Sequence, residues 1–334
     1  MRKFIRKRVL RFSLYVISIA AACIIILLVY LVVNEYQPED LEKAETIKKN
    51  TVNRTLDVNQ KLTLTTYNIG YCNDSQDSDF FVDGGRRTRI ESVNKVERNM
   101  NGIAETLLNI NSDINLIQEI DTDSKRGYHV NQAEYISGRL NGGACYAKNF
   151  SVKYIPYPIP DMIGEIQSGI MSVNPYATTK ARRRALPVAF KYPVRLCQTK
   201  RCLLEERIPV KGTTRELILI NLHLEAYDDG VGKKEQTRVL VNFMKSEYAK
   251  GNYVIAGGDF NQLFPNADND KYPIKSEKYF KPGTFDSKAF GKAWTLAVDD
   301  KTPTSRQSVT AVVQETILKI SGKSVICLMA PVKI

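Results

Sequence analysis

The N-terminal region contains an apolar run that a water-soluble fold could not leave exposed. It extends from Phe12 to Val33, and six lysines and arginines precede it within residues 1–11. About 20 apolar residues, rising about 1.5 Å each, cross a hydrocarbon layer of about 30 Å. Because strongly apolar residues continue well past Ala22, the run favours an uncleaved transmembrane helix over 12–33 rather than a cleaved signal peptide. The sequence Ala-Ala-Ala-Cys at 20–23 faintly resembles a lipoprotein cleavage site and leaves lipidation as the alternative.

The charges on either side of this segment predict its orientation. The basic flank at 1–11 is expected in the cytoplasm, while the acidic stretch after residue 33 and the rest of the chain face outward. We therefore expect a single-pass protein of the cell membrane with an extracellular folded domain. Residues 34–60 are polar, contain Pro38 and lack an apolar period, so they predict a juxtamembrane linker.

Beyond residue 60 the chain alternates strand and helix patterns, which is typical of an α/β fold. The stretch "KLTLTTYNIG" alternates like a strand, and "KVERNMNGIAETLL" has its apolar residues at helical spacing. Two apolar strands, "ELILINLHLEA" and "YVIAGGDFN", flank an amphipathic helix that Gly251 closes. The Tyr-, Pro- and Gly-rich segment 127–192 predicts surface loops with short strands.

The charge and the cysteines leave the partners open. The net charge is +12, and a dense basic stretch covers residues 180–212. Such a stretch fits a phosphate-rich substrate such as a nucleic-acid backbone, or else a solvated face. Six cysteines are present, and the spacing of Cys197 and Cys202 matches no common zinc pattern. Free thiols are favoured over a disulfide.

Conspicuous polar residues stand at the ends of four apolar strands. They are Asn68, Glu119, His223, and Asp259 with Asn261. Each has an ordinary explanation by itself, such as a turn cap or a hydrogen-bonded core side chain. In layered α/β folds ligands gather where strands end, so the set could converge on one pocket.

In this order, these residues closely resemble the endonuclease/exonuclease/phosphatase superfamily, over roughly residues 62–306. The segment "SGIMSVNPYA" is also similar to a segment usual in that family. The resemblance implies a DNase I-like four-layer α/β sandwich, with two packed mixed sheets flanked by helices, over residues 61–306. We expect it to be a monomer.

The resemblance also implies a chemistry: hydrolysis of a phosphoester by in-line attack of water, aided by Mg²⁺ or Mn²⁺. Glu119 would bind the metal and Asn68 would assist it. Asp259 would orient or deprotonate the water, while His223 and Asn261 would donate hydrogen bonds to the phosphoryl group. A nucleic acid, a phospholipid headgroup and a sugar phosphate all remain possible substrates.

One part of the family pattern is missing. Members typically finish with an Asp-His pair, whereas the two histidines here are His223 and His129, and the latter is expected in a surface loop. The match holds through "TPTSR" at 302–306, but residues 307–334 contain neither Asp nor His and suggest a shifted reading frame. We therefore expect an aberrant tail, final strands altered or missing, an unpaired sheet edge and impaired activity. The alternative is an inactive remnant or a phosphate-binding module.

Overall fold

The computed structural model describes residues 2–73, 79–81, 85–265, 283–290 and 294–297, together with two backbone strands at 316–319 and 324–327. The helices are α1 Arg2–Val33, α2 Val93–Ile110, α3 Gln132–Arg139 and α4 Val231–Ala249. The strands are β1 Leu41–Lys43, β2 Glu45–Lys48, β3 Leu56–Asp57, β4 Lys61–Asn68, β5 Ile114–Asp121, β6 Gly143–Ile155, β7 Gly164–Asn174, β8 Lys180–Ala185, β9 Cys202–Lys211, β10 Glu216–His223, β11 Tyr253–Asp259, β12 Gln262–Leu263, β13 Gly283–Thr284, β14 Trp294–Ala297, β15 Thr316–Lys319 and β16 Ser324–Cys327.

The described strands form two mixed sheets and a small pair, β12 with β13. The larger sheet has the order β1-β8-β9-β10-β11-β16-β14, with β3 also paired to β9. The smaller sheet has the order β15-β4-β5-β7-β6-β2. Two pairs of neighbours run parallel at corresponding places, β10 with β11 and β4 with β5, so their carboxyl ends point to one edge of the molecule.

Three apolar clusters define four layers. One cluster joins the facing sheets through residues such as Leu64, Leu116 and Leu219. A second packs α2 and α3 on the outer face of the smaller sheet, and a third packs α4 on the outer face of the larger sheet. This confirms the four-layer α/β sandwich expected from the sequence. Central strands are covered on both faces, which is why all eight residues of β5 are buried.

The helix α2 begins and ends where its local sequence allows. The Ser92 hydroxyl accepts a hydrogen bond from the N–H of Lys95, which satisfies one of the free donors of the first turn. At the other end Asn111 adopts a left-handed conformation with φ 53°, a common helix stop. Its inward face, including Met100 and Leu107, is buried.

The segment 34–60 is more than a connector. It contributes β1, which pairs with β8, then β2, which pairs with β6, and β3, which pairs with β9. It therefore spans both sheets and belongs to the folded domain. Its polar composition hides this because short edge strands need backbone partners and only a few buried side chains.

The prediction of loops over 127–192 is wrong for much of that segment. The two longest strands of the described chain, β6 and β7, lie there and form a hairpin. Their many small and polar residues weaken the sequence signal, whereas pairing with each other and with β5 fixes them as strands.

Parts of the tail also enter the sheets. The strand β15 pairs antiparallel with β4, and β16 lies between β11 and β14, parallel to both. The sheet edge that we expected to lack a partner is thus paired over these strands. The matched segment at 302–306 lies outside the described residues.

The helix α1 is long and apolar enough, from Phe4 to Val33, to cross a membrane. Its side chains are almost all exposed, so the domain does not use this helix as core. Length and composition are therefore consistent with the predicted transmembrane segment over 12–33.

Candidate functional site

Strand register brings the predicted residues to one edge. Because β10 and β11 are parallel, His223 lies beside Asp259. In the facing sheet the same relation places Asn68 beside Gln118, the residue before Glu119. All five of these polar residues are buried, with at most 9% of their surface exposed.

The amide of Asn68 bridges two carboxylates across the two sheets. Its Nδ2 donates to Glu119 Oε1 at 2.9 Å and to Asp259 Oδ2 at 2.8 Å. The Nε2 of His223 lies 3.5 Å from Asp259 Oδ2 and 3.9 Å from Glu119 Oε1. The structure thus brings together residues separated by 191 positions in sequence.

The backbone at the site holds unusual conformations. Glu119 has φ 54°, at the point where the pairing of β5 with β7 shifts register. Asn261 has φ 50°. Such values cost free energy in residues other than glycine, and they persist where surrounding contacts fix them, which is common at functional sites.

Asn261 lies beside Asp259, and its amide is already used in a hydrogen bond within the domain. Its Nδ2 donates to the carbonyl oxygen of Leu224 at 3.0 Å, and its main-chain N–H donates to Asp259 Oδ1 at 2.9 Å. In this arrangement Asn261 fixes the turn after β11 and holds the Asp259 carboxylate.

The Asp259 carboxylate is electrostatically unusual. Burial and, to a smaller extent, the charge of Glu119 raise its pKa, the hydrogen bond from Asn68 opposes them, and the net result is a pKa of about 7. A carboxylate with a pKa near neutrality can take up and release a proton at physiological pH.

The same cluster fits a cation. One ligand atom from each of Glu119, His223 and Asp259 lies within 4.8 Å of the other two. Asn68 presents its nitrogen to the carboxylates, while its Oδ1 accepts from the N–H of Gly70 at 3.0 Å. As positioned, Asn68 orients the two carboxylates.

The buried amides of Gln118 and Asn221 connect the two sheets next to the site. The sequence analysis did not identify this pair. Gln118 Nε2 donates to Asn221 Oδ1 at 2.8 Å, and Asn221 Nδ2 donates to the carbonyl of Met171 at 2.9 Å. These bonds join the two sheets one layer beneath Glu119 and His223. Polar residues inside apolar strands were the available signal, since a buried amide needs partners.

A buried ion pair also stabilises the end of β5. Arg126 donates to Asp121 through two nitrogens, at 2.9 and 2.7 Å, and both side chains are buried. The guanidinium of Arg126 lies 3.2 Å from the ring centre of Tyr71. This pair fixes the loop that follows the Glu119 strand.

Two cationic side chains, Arg201 and Lys233, lie near Asp259. Arg201 lies 3.4 Å from Glu225, and both are buried. Burial alone would raise the pKa of Glu225, but Arg201 and the hydrogen bond from Thr199 outweigh it and lower that pKa. Lys233 Nζ donates to the carbonyl oxygen of Asn261 at 3.1 Å. These groups place positive charge beside the carboxylates.

The basic stretch at 180–212 is largely neutralised within the domain. Arg183 is buried and donates to the carbonyls of Lys148 and Lys200, each at 2.8 Å. Glu205 accepts from Arg184 at 2.9 Å and from Arg207 at 2.8 Å. This stretch is therefore mostly internal ion pairs and does not form a continuous cationic track.

The remaining sequence predictions concern His129 and the cysteines. His129 is exposed beside Asp123, in agreement with the expected surface position. Of the cysteines whose side chains are described, Cys23, Cys72, Cys145, Cys197 and Cys202 are free thiols in the structure.

No family model and no curated protein matches the chain. Solved structures do match it. An endonuclease/exonuclease/phosphatase from Beutenbergia cavernae shares 15% identity over 55% of this chain and 44% of that one, with a TM-score of 0.40. ANGEL2, a 2',3'-cyclic phosphatase, shares 15% identity over 70% of this chain and 59% of that one, with a TM-score of 0.41. A mannosyl-6-phosphatase of Bacteroides thetaiotaomicron shares 18% identity over 60% and 66%, with a TM-score of 0.38.

The chain spans less than two thirds of the length of the first two of these proteins and about two thirds of the third. Its own two mixed sheets, with helices on the outer faces, define the DNase I-like sandwich. In that architecture the chain is similar to the endonuclease/exonuclease/phosphatase superfamily that its sequence motifs resemble.

Proposed function

We propose that the protein is a membrane-anchored phosphohydrolase that depends on a divalent metal ion and works slowly in its present form. The observation that carries this proposal is the meeting of Glu119, His223 and Asp259 within one buried cluster. A buried cluster of two acids and an imidazole at the carboxyl ends of strands supplies groups that can bind a cation and move a proton, which supports a phosphoester site.

The cluster suits a hard divalent ion. Two carboxylate oxygens that converge in a buried site repel each other, and a cation between them removes that cost. Glu119 would be the carboxylate that holds the ion, because Mg²⁺ and Mn²⁺ prefer oxygen ligands, and Asp259 would lie beside it as the base. Such an ion would neutralise phosphoryl charge and lower the pKa of water.

Each side chain of the cluster then has a separate role in the reaction. Asp259 orients the attacking water and accepts its proton, while His223 donates a hydrogen bond to the phosphoryl oxygens. The water oxygen bonds to phosphorus, the bond from phosphorus to the leaving alcohol breaks, and the proton passes to that alcohol. Asn68 and Asn261 act as positioning residues, since their bonds fix the two carboxylates.

The missing Asp-His pair is the reason to expect slow turnover. A histidine that transfers a proton commonly contributes about 10²- to 10⁴-fold in rate. Of the two histidines in the chain, His129 is exposed and paired with Asp123, which leaves His223 for the site. The second candidate function is a phosphate-binding module without turnover, and this same lack of a second histidine favours it.

The proposed orientation follows the charge bias around α1. The basic flank lies in the cytoplasm and the sandwich lies outside the cell, at the membrane surface.

A metal-dependence experiment tests the function. Full-length protein in nanodiscs is assayed on p-nitrophenyl phosphomonoester and phosphodiester substrates with Mg²⁺, Mn²⁺ or EDTA. We expect slow turnover that EDTA abolishes and that Glu119→Gln and Asp259→Asn each reduce by at least about 10²-fold. A chimera whose tail carries a family-type Asp-His strand should be faster by about 10²- to 10⁴-fold.

Glu206→Gln is the matched control. Glu206 is a buried carboxylate with a raised pKa, but its partner is Asn174, inside the sandwich. Its amide variant should keep the turnover of the wild type. Mn²⁺ binding that Glu119→Gln weakens, without turnover in either chain, would favour the binding module. Absence of both would overturn the metal site itself.

A further inference from the structure

The apolar helix ends against a loop of the domain, and the contact is well defined. Glu35 lies two residues after the end of α1, and its side chain is 1% exposed. It accepts hydrogen bonds from Lys200 at 2.9 Å, Arg195 at 3.0 Å and Tyr192 at 2.6 Å. Burial would raise the pKa of Glu35, but these donors outweigh it and lower that pKa, so the contact is an ionised one. The last turn of α1 is therefore fixed to the segment 186–201, here called the anchor loop.

The anchor loop extends from the edge of the larger sheet at which His223 and Asp259 lie. It connects β8 to β9, and the register pairs Ala185 with Cys202 and Leu203 with Leu222. Leu222 immediately precedes His223. At the base of the loop, Arg201 is buried beside Glu225. The strand β1 independently places the end of α1 at this edge. It pairs antiparallel with β8, and the carbonyl oxygen of Asp40, just before β1, accepts from the N–H of Ala185 at the end of β8.

In the smaller sheet, the β6–β7 hairpin extends beyond the same edge. Ser168 of β7 lies opposite Asp121, the last residue of β5. The strand β7 begins at Gly164, four residues further out, so the tip of the β6–β7 hairpin extends roughly 13 Å past the end of β5. Tyr157 and Ile159 in this tip are 61% and 80% exposed.

Both projections combine exposed apolar groups with basic ones. In the anchor loop Tyr192 is 57% and Val194 is 53% exposed, and the exposed Lys191 precedes them. Near the hairpin tip, Phe81 packs edge-on against Tyr157 at 5.4 Å between ring centres, and the exposed arginines 86, 87 and 89 follow it in the chain. Arg87 and Arg89 also lie 3.6 Å from Glu91 and 4.0 Å from Asp161, in solvent-exposed ion pairs. Exposed aromatic and aliphatic side chains with neighbouring arginines are typical of surfaces that contact the headgroup layer of a bilayer.

We propose that the edge of the sandwich that bears the cluster faces the bilayer in which α1 is embedded, and that the substrate is a phosphoester of a phospholipid headgroup. The end of α1 at this edge leaves the anchor loop and the hairpin tip at the membrane surface. A headgroup phosphate then lies next to the buried carboxylates, whereas a soluble substrate must enter between the domain and the membrane. The substrate class rests on the proposed function; the orientation does not.

Depth-dependent fluorescence quenching tests the orientation without any need for activity. Full-length protein, with Cys23, Cys145, Cys197 and Cys327 replaced by serine and the buried Cys72 and Cys202 kept, carries one new cysteine at Tyr157→Cys or Tyr192→Cys. Each is labelled with an environment-sensitive fluorophore in nanodiscs made with or without spin-labelled phosphatidylcholine. The matched control is Lys211→Cys, whose side chain is 69% exposed at the opposite edge, where β9 ends.

We expect the spin-labelled lipid to quench the labels at 157 and 192 by at least about twofold and to leave the label at 211 unchanged. Glu35→Ala should reduce the quenching at 192, because it frees the helix end, whereas Glu39→Ala, at an exposed neighbouring position, should not. Equal quenching at 157, 192 and 211, or quenching at 211 alone, overturns the orientation.

Turnover separates this inference from the proposed function. The same nanodiscs are assayed for released headgroup phosphate and, in parallel, for hydrolysis of a soluble phosphodiester dye. The inference predicts a ratio of membrane to soluble turnover that exceeds that of a variant lacking residues 1–29 by at least about tenfold. Hydrolysis of the dye without quenching at 157 and 192 overturns the inference and leaves the proposed function standing. Quenching in the expected pattern without any turnover overturns the proposed function and leaves the orientation standing.

Discussion

Gly258 sits directly before Asp259 with φ 142°, and a Cβ at this position would lie 2.0 Å from the carbonyl oxygen of Leu222. The close approach of β11 to β10 is what places Asp259 beside His223. We therefore expect Gly258→Ala to destabilise the domain by at least about 2–4 kcal/mol, through strain and displaced backbone.

Gly212→Ala is the control for that substitution. Gly212 also has a positive φ, 76°, but nothing lies within 4 Å of its added Cβ. Its variant should lose only about 1–2 kcal/mol. Urea unfolding of both variants measures the difference, and equal losses would show that the contact with Leu222 is unimportant.

Glu206 gives a pH prediction at the same scale. Burial raises its pKa from an ordinary value of 4.5 to about 7, although Asn174 and neighbouring hydroxyls oppose this. A carboxyl whose folded pKa is raised binds protons more tightly when folded, so its contribution is fully present below pH 4.5 and is lost as the pH rises through about 7. Glu206→Gln should therefore remove part of the fall in stability between these values.

Chemical unfolding at several pH values measures that effect. The difference in unfolding free energy between Glu206→Gln and the wild type should grow in favour of the variant from pH 4.5 to pH 7. A difference that is constant with pH would mean that Glu206 keeps an ordinary pKa in the folded state.

At the scale of elements, the amide pair Gln118 and Asn221 ties the strand of Glu119 to the strand of His223. Asn221→Leu keeps the number and branching of the side-chain heavy atoms but leaves Gln118 Nε2 and the carbonyl of Met171 without this partner. We expect a loss of about 1–3 kcal/mol, since unsatisfied buried polar groups are costly. Activity should fall too, because the two strands carry the cluster.

A double-mutant cycle isolates the link between the sheets. Combining Asn221→Leu with Gln118→Leu should cost at least about 1 kcal/mol less than the two separate losses, because the partners are removed together. As the control, Asn221→Leu is combined with Asp113→Ala, which breaks a bond to Thr63 elsewhere in the smaller sheet. That pair should be additive within about 0.5 kcal/mol. Additivity in both cycles would contradict the proposed link.

For the molecule as a whole, the tail is expected to stabilise the sandwich despite its unusual sequence. Deletion of residues 307–334 removes β15 and β16, and so leaves β4 and β11 with unpaired edges. The deletion should lower the unfolding temperature and increase aggregation, because open strand edges pair with other chains. Deletion of residues 1–29 should leave the unfolding temperature nearly unchanged, since that part of α1 is exposed. Calorimetry and light scattering on both deletions test this, and an unchanged temperature without the tail would contradict it.

Most of the site's residues could be identified from sequence, but their roles could not. Asn68, His223 and Asp259 end apolar strands, Asn261 follows one and Glu119 lies two residues before the end of another, which is a local pattern. That Asn68 bridges two carboxylates and that Asn261 bonds to Leu224 depends on side-chain direction, which periodicity does not determine.

The sequence by itself determined the features that a short window of residues controls. The apolar run over 12–33, the alternation of strands and helices, and the polar strand ends all follow from local composition and period. Only the tertiary structure decided which distant segments pair. It placed residues 34–60 in the sheets, made a long hairpin of 143–174, and set the end of α1 at the same edge as the cluster. The physical reason is that backbone pairing, burial and pKa depend on partners far away in the chain, whose free energy no local pattern records.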